Sequence, residues 1–180
     1  RRAPVVSEAR TMESVYVGIG SNVNREVSVG GGIQALRARF GEVWCSSVYE
    51  CAPVGFEGEP FYNLVAGFRT ADSGAEVAQA LRHIEAQFGR ERSANKHISR
   101  TLDIDLLLYG AMTSETLRVP RADIEQYAFV LAPLAELAGD TLHPRTGQSF
   151  ARMWDSFDAA AQPFVCLPEA EGQRLTGSDS

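Results

Sequence analysis

Asp103 and Asp105 stand two residues apart in the leucine-rich run Arg100-Thr-Leu-Asp-Ile-Asp-Leu-Leu-Leu-Tyr-Gly110. Leu102, Ile104, Leu106 and Leu108 alternate with them, so a period of two puts the aliphatic side chains on one face of a strand and both carboxylates on the other. Two residues along a strand span roughly 6.5 Å, where like unit charges repel by about 2.5 kcal/mol at an effective dielectric of about 20. Water makes that cost small; in a cleft, a hard divalent cation is the natural neutraliser. The same pattern also describes the wet face of a half-buried sheet. The upstream residues favour a cation. Residues 90 to 100 carry Arg90, Arg92, Lys96 and Arg100 against Glu91, four cations against one acid, in a chain of net charge −6. Arginine forks hold phosphate oxygens in a fixed plane while magnesium bridges them from the carboxylate side, the division of labour that phosphoryl transfer needs.

The elements that must position these groups are readable in outline. Val15-Tyr-Val-Gly-Ile-Gly20 predicts a first strand whose glycines admit close approach of another backbone or a ligand. Residues 24 to 40 carry a helical pattern at Ile33, Leu36 and Phe40, secure only from about residue 33 because Gly30, Gly31 and Gly32 stand at its start. Val43 to Cys51 and Tyr62 to Thr70 are strand-like runs separated by a turn-rich loop, residues 52 to 60, that is a candidate substrate lip. Ser73 and Glu76 form a capping box ahead of an apolar stripe at Val77, Leu81, Ile84 and Phe88, with Arg82 and Glu85 on the polar side. Beyond the paired aspartates lie helical patterns at about residues 128 to 137 and 149 to 160, and a polar stretch after Cys166 expected to fray. The order strand, helix, strand, strand, helix, strand predicts an α+β fold on the ferredoxin-like plan, an antiparallel sheet with packed helices.

Composition narrows the function classes. At 180 residues with 44% hydrophobic content the chain forms one core, expected over residues 12–166. Residues 1–11 read as an extension outside the fold and 167–180 as a polar tail. The acidic balance, pI about 5.1, argues against a nucleic-acid partner. Cys45, Cys51 and Cys166 lack zinc or disulfide spacing and read as reduced thiols. No apolar run suits a membrane, and a cytoplasmic, monomeric protein is expected.

Several segments together resemble one family. Gly18-Ile-Gly-Ser-Asn22, the Tyr49 to Asn63 stretch ending Pro60-Phe-Tyr-Asn63, Phe88-Gly-Arg90, Arg100-Thr-Leu-Asp-Ile-Asp105 and Ala128-Phe-Val-Leu-Ala-Pro133 are similar, in order and spacing, to the 6-hydroxymethyl-7,8-dihydropterin pyrophosphokinases. The likeness spans roughly residues 14 to 145. It implies a ferredoxin-like α+β fold and transfer of pyrophosphate from ATP to the pterin hydroxymethyl group, with release of AMP, in folate biosynthesis. Asp103 and Asp105 would ligate two magnesium ions on the triphosphate of the ATP co-substrate. Arg90 and Arg100 would hold the phosphates and stabilise transition-state charge, with Arg92 a further nucleotide contact and Glu85 near the nucleotide. Phe61 and Phe129 would sandwich the pterin ring, and Asn63 with the backbone of Ala52, Pro53 and Val54 would read its polar edge.

Three places depart from the family pattern. Val119-Pro-Arg121 replaces V-P-H, Tyr127 replaces an arginine, and Ile98-Ser99 precedes Arg100 where Gly-Pro or Ala-Pro is usual. Arg118 and Arg121 are candidates to restore positive charge at the triphosphate. A weakly active or inactive paralogue that binds pterin or nucleotide is the rival reading.

Overall fold

The computed structural model describes residues 10–53, 57–88 and 102–178. Its elements are β1 (Glu13–Ser21), α1 (Arg25–Phe40), β2 (Val43–Cys45), β3 (Tyr49–Cys51), β4 (Phe61–Thr70), α2 (Gly74–Gln87), β5 (Asp103–Tyr109), α3 (Asp123–Gln126), α4 (Ala128–Ala138), α5 (Phe150–Asp155), β6 (Val165–Cys166) and α6 (Glu169–Thr176). The six strands form one sheet in the order β5-β1-β4-β3-β6, with β2 also on β4, and every pairing is antiparallel. The α+β architecture expected from element order is therefore present. Among the described residues, no helix is long and apolar enough to cross a membrane.

The two faces of the sheet bury different layers. Val15, Val17, Ile19, Leu64, Phe68, Ile104 and Leu106 meet Val29, Ile33 and Leu36 of α1 and Val77, Leu81 and Ile84 of α2 in the larger core. On the opposite face Val65, Leu107 and Leu108 pack against Ile124, Leu131, Leu134 and Phe150 from α3, α4 and α5. These helices leave part of their face uncovered, and the cleft lies there.

Local departures from the expected pattern have identifiable causes. Leu108 does not share a face with Leu102, Ile104 and Leu106: the β1–β5 register shifts between Tyr16 and Val17, so Leu107 and Leu108 both turn toward α4. The expected strand from Val43 to Cys51 is split because Ser46 accepts the Val65 N–H through its hydroxyl (2.9 Å), where a carbonyl would continue the ladder. The helix expected to reach residue 160 ends at Asp155, where the Ser156 hydroxyl donates back to the Arg152 carbonyl. The segment after Cys166, expected to fray, instead forms α6. Arg37 of α1 donates to the Thr176 carbonyl (2.8 Å), and Leu175 packs on the larger core.

Helix α1 runs without interruption through Gly30-Gly31-Gly32, against the expectation that it was secure only from residue 33. Tertiary contact overrides propensity here. A Cβ on Gly31 would lie 2.5 Å from the Phe88 ring and one on Gly32 3.0 Å from Leu102. Phe88 and Leu102, on either side of residues 89–101 in sequence, are thus both seated against bare α1 backbone. Gly31→Leu should cost roughly 2 kcal/mol despite its better helix propensity, because overpacking outweighs the gain. Urea unfolding with an unchanged or raised midpoint would contradict this.

Candidate functional site

Register across the sheet assembles the site. Gly20 of β1 pairs with Asp103 on one side and Asn63 on the other; Gly18 likewise pairs with Asp105 and Val65. Asp103 and Asn63 are thus two strand spacings apart, about 10 Å, with only a glycine between them. The resulting cleft, of about 350 Å³, is lined by Asp103, Asp105, Phe61, Asn63, Arg121 and Phe129, among others. That volume suits a small heterocycle with a few polar contacts.

Glu85 completes the acidic end. The sequence places it on the polar side of its helix; in the structure it is 5% exposed, so that side of α2 is not open to solvent at this position. Its Oε1 accepts the Ile104 N–H at 2.8 Å, satisfying a donor of β5. Carboxylate oxygens of Glu85, Asp103 and Asp105 lie within 4.8 Å of one another. Burial first, and Asp103 next, push the Asp105 carboxyl up to about 7, against the lowering effect of Arg121. An all-oxygen donor set in which two members raise the proton affinity of the third fits a hard divalent cation.

The opposite wall suits a flat ring. Phe129 stacks on Tyr127 with ring centroids 5.1 Å apart and 20° between planes, and both rings line the cleft. Phe61 lines it from β4. The Asn63 amide donates to the Cys51 sulfur at 2.7 Å, and burial pushes that thiol up to about 11, so it stays protonated. The cleft also includes Ala52, while Pro53 lies just outside its lining. A Cβ on Gly20 would sit 2.9 Å from the Asn63 side-chain oxygen. Gly20→Ala should therefore turn Asn63 away and raise KM for a ring substrate about tenfold while leaving KM for a nucleotide near wild type. Equal changes in both constants would argue against this division of the cleft.

Other predicted positions are not brought to the cleft. Arg118 is exposed on a turn with φ of 55° and is absent from the lining. Val54, Arg90, Arg92 and Arg100 lie outside the described residues, as do residues 54–56 of the expected substrate lip and all of the basic loop. Sequence reasoning missed two contributors, Cys51 and Asp123. Cys51 carries a signal only in its alternation with pocket-facing positions; Asp123 carries none before Arg121 is placed beside it.

His143 is structural. It is 1% exposed, its Nδ1 accepts the Arg145 and Thr146 N–H groups, and its Nε2 lies 3.1 Å from Glu125; neither residue lines the cleft.

Comparison with known proteins gives the same outline. The family model described as 7,8-dihydro-6-hydroxymethylpterin-pyrophosphokinase (HPPK) matches residues 16–139. The 2-amino-4-hydroxy-6-hydroxymethyldihydropteridine pyrophosphokinase of Synechocystis is 33% identical over 174 residues, covering 90% of this chain and 83% of that protein. The Haemophilus influenzae protein of the same name is 34% identical over 141 residues, covering 75% and 88%. The folic acid synthesis protein fol1 of Pneumocystis carinii is 33% identical over 79% of this chain, which spans 20% of that longer protein. Among solved structures, Plasmodium falciparum HPPK-DHPS aligns with a TM-score of 0.66 at 12% identity, over 83% of this chain and 45% of its own; that likeness concerns the fold. With the family model covering most of the folded region and bacterial pyrophosphokinases matched nearly end to end, this chain belongs to the 7,8-dihydro-6-hydroxymethylpterin-pyrophosphokinase family.

Proposed function

We propose that this chain transfers the pyrophosphoryl group of ATP to the hydroxymethyl oxygen of 6-hydroxymethyl-7,8-dihydropterin, releasing AMP. The observation that supports this most is the pairing of a three-carboxylate cluster with an aromatic, amide-bearing wall about two strands away, joined by the glycine floor of β1. The pterin lies between Phe61 and Phe129, where stacking supplies area, and the Asn63 amide and the backbone at Ala52, Pro53 and Val54 identify its polar edge. The hydroxymethyl oxygen is then aimed toward the carboxylate end.

Asp103 and Asp105 would hold two magnesium ions, which would supply charge neutralisation to the triphosphate. Glu85 fixes β5, on which both aspartates sit, through the Ile104 N–H. The pterin oxygen bonds to the β-phosphorus as the bond from that phosphorus to the α–β bridging oxygen breaks. AMP leaves with that bridging oxygen, and the hydroxyl proton passes to solvent. Arg90 and Arg100 bind the phosphates and balance the charge that accumulates, Arg92 binds the nucleotide, and positioning supplies most of the rate.

Incubation with the pterin, ATP and magnesium should produce AMP in step with pterin consumption, measured by chromatography. The Asp103→Ala, Asp105→Ala double variant is the blank. AMP formation no faster than this blank would favour a pterin- or nucleotide-binding paralogue.

A further inference from the structure

Arg121 is held in an unusual way. Its backbone is pinned, since its N–H donates to the Leu107 carbonyl at 3.0 Å and its carbonyl accepts the Ile124 N–H at 3.2 Å. Its guanidinium is held far more loosely. Nη2 lies 3.7 Å from Asp105 Oδ1 and Nε lies 3.3 Å from Asp123 Oδ2, both longer than the roughly 2.7–2.9 Å of a charge-assisted hydrogen bond. Nε is buried and makes no hydrogen bond. A buried donor whose one near acceptor, Asp123 Oδ2, is poorly aligned is incompletely satisfied, so this position is only weakly preferred over others the side chain can reach. The guanidinium also lines the cleft.

We infer that Arg121 is a positioning residue that serves as a stand-in cation for Asp105: it neutralises this carboxylate before a divalent ion arrives and is displaced toward the anionic substrate when one binds. This rests on the reading of Asp103 and Asp105 as divalent-metal ligands. The argument is one of competition for one charge. A dication beside Asp105 places a guanidinium about 4 Å away in repulsion, and the loose contacts offer little to keep it there. Asp123 retains the side chain near the cleft during the exchange. Metal-free protein thus keeps a positive charge beside Asp105, and each metal-binding event makes a cation available to the incoming phosphates. Metal and substrate affinities become linked through one side chain.

Manganese provides a test without turnover. Free Mn²⁺ is titrated by electron paramagnetic resonance in the absence of nucleotide for wild type, Arg121→Ala, Arg121→Lys and Arg69→Ala, the last removing an exposed positive charge at the far end of β4. Arg121→Ala should bind Mn²⁺ about tenfold more tightly, Arg121→Lys less so, and Arg69→Ala as wild type. In parallel, Arg121→Ala should raise KM for MgATP about tenfold. Opposite movements of metal affinity and KM are the signature, because a merely structural role weakens both. Unchanged or weaker Mn²⁺ binding in Arg121→Ala, or equal tightening in Arg69→Ala, would overturn the inference. Asp103→Asn and Asp105→Asn separate the two ideas. If neither variant loses Mn²⁺ affinity, the metal reading fails, and the stand-in role falls with it.

Discussion

Replacing Asp105 with Asn should lower kcat by about a thousandfold or more while raising the melting temperature of the metal-free protein by roughly 2–4 °C. On the proposed mechanism the loss follows from removing a carboxylate that acts, through the metal it would hold, on charge developing at the β-phosphoryl group and the departing α–β bridging oxygen, where a single electrostatic partner is worth about 10²–10³. The gain has a separate cause. Asp105 is largely surrounded by protein and faces Asp103, with Glu85 and Asp123 adding repulsion and Arg121 offsetting part of it. A neutral amide of the same shape escapes this, by about 1 kcal/mol, which for a domain of this size is roughly 2–4 °C.

The pH dependence fixes the sign. The folded carboxyl titrates near 7, and the unfolded one near the ordinary 3.8. Between these values the folded state holds a proton that the unfolded state has lost, so wild-type stability falls as pH rises from about 4 to about 7 and levels off above. Asp105→Asn lacks this slope. The gap in melting temperature between variant and wild type should therefore widen across that range when both are measured with chelator present. Addition of magnesium and a non-hydrolysable ATP analogue should reverse the order, since only wild type gains ligand stabilisation. A variant less stable than wild type at pH 8 without metal would show that Asp105 is structural rather than strained.

Phe129→Ala should raise KM for the pterin about thirtyfold with a much smaller effect on KM for ATP. The ring is half-buried, packs on the smaller core and stacks on Tyr127, so its loss removes one face of the heterocycle's slot. An aromatic face is worth about 0.5–1.5 kcal/mol beyond the area it buries, and the lost area makes up the remainder of about 2 kcal/mol. Phe129→Leu should recover part of the affinity, because area is restored without the π-face. Isothermal titration with the pterin alone would check both. Matching affinities for Phe129→Ala and wild type would place the ring substrate elsewhere in the cleft.

Tyr127 gives this wall a second role. The family pattern has an arginine here, and the tyrosine spends the position on supporting Phe129 rather than on charge. Arg121, which lines the same cleft, is the candidate that supplies a cation in its place. Arg118, the second candidate for that compensation, is exposed on a turn and does not line the cleft.

Strands and helices whose patterns repeat locally were legible in the sequence. Alternation put Asp103 and Asp105 on one face, and the Ser73–Glu76 capping box is present with both reciprocal bonds. Both signals depend on residues no more than four apart, where backbone geometry alone determines which side chains share a face. Local patterning failed where a distant partner intervened. The three glycines read as a weak helix start because propensity has no knowledge of the Phe88 and Leu102 side chains that need the space. The polar composition after Cys166 concealed α6, which is stabilised by α1 rather than by its own sequence.

The chemistry of the chain was thus determined by sequence alone: two carboxylates on one strand face, a basic segment ahead of them, and an aromatic and amide set spaced as in the pyrophosphokinase family. What only the tertiary structure decided is which of these groups meet. Glu85 reaches β5 across 19 residues of sequence, Asn63 faces Asp103 over Gly20 through strand register, and Arg121 hangs between Asp105 and Asp123 because its backbone is tied to Leu107. Such meetings depend on how sheet register and helix packing bring remote segments together, and no periodicity within a single segment encodes them.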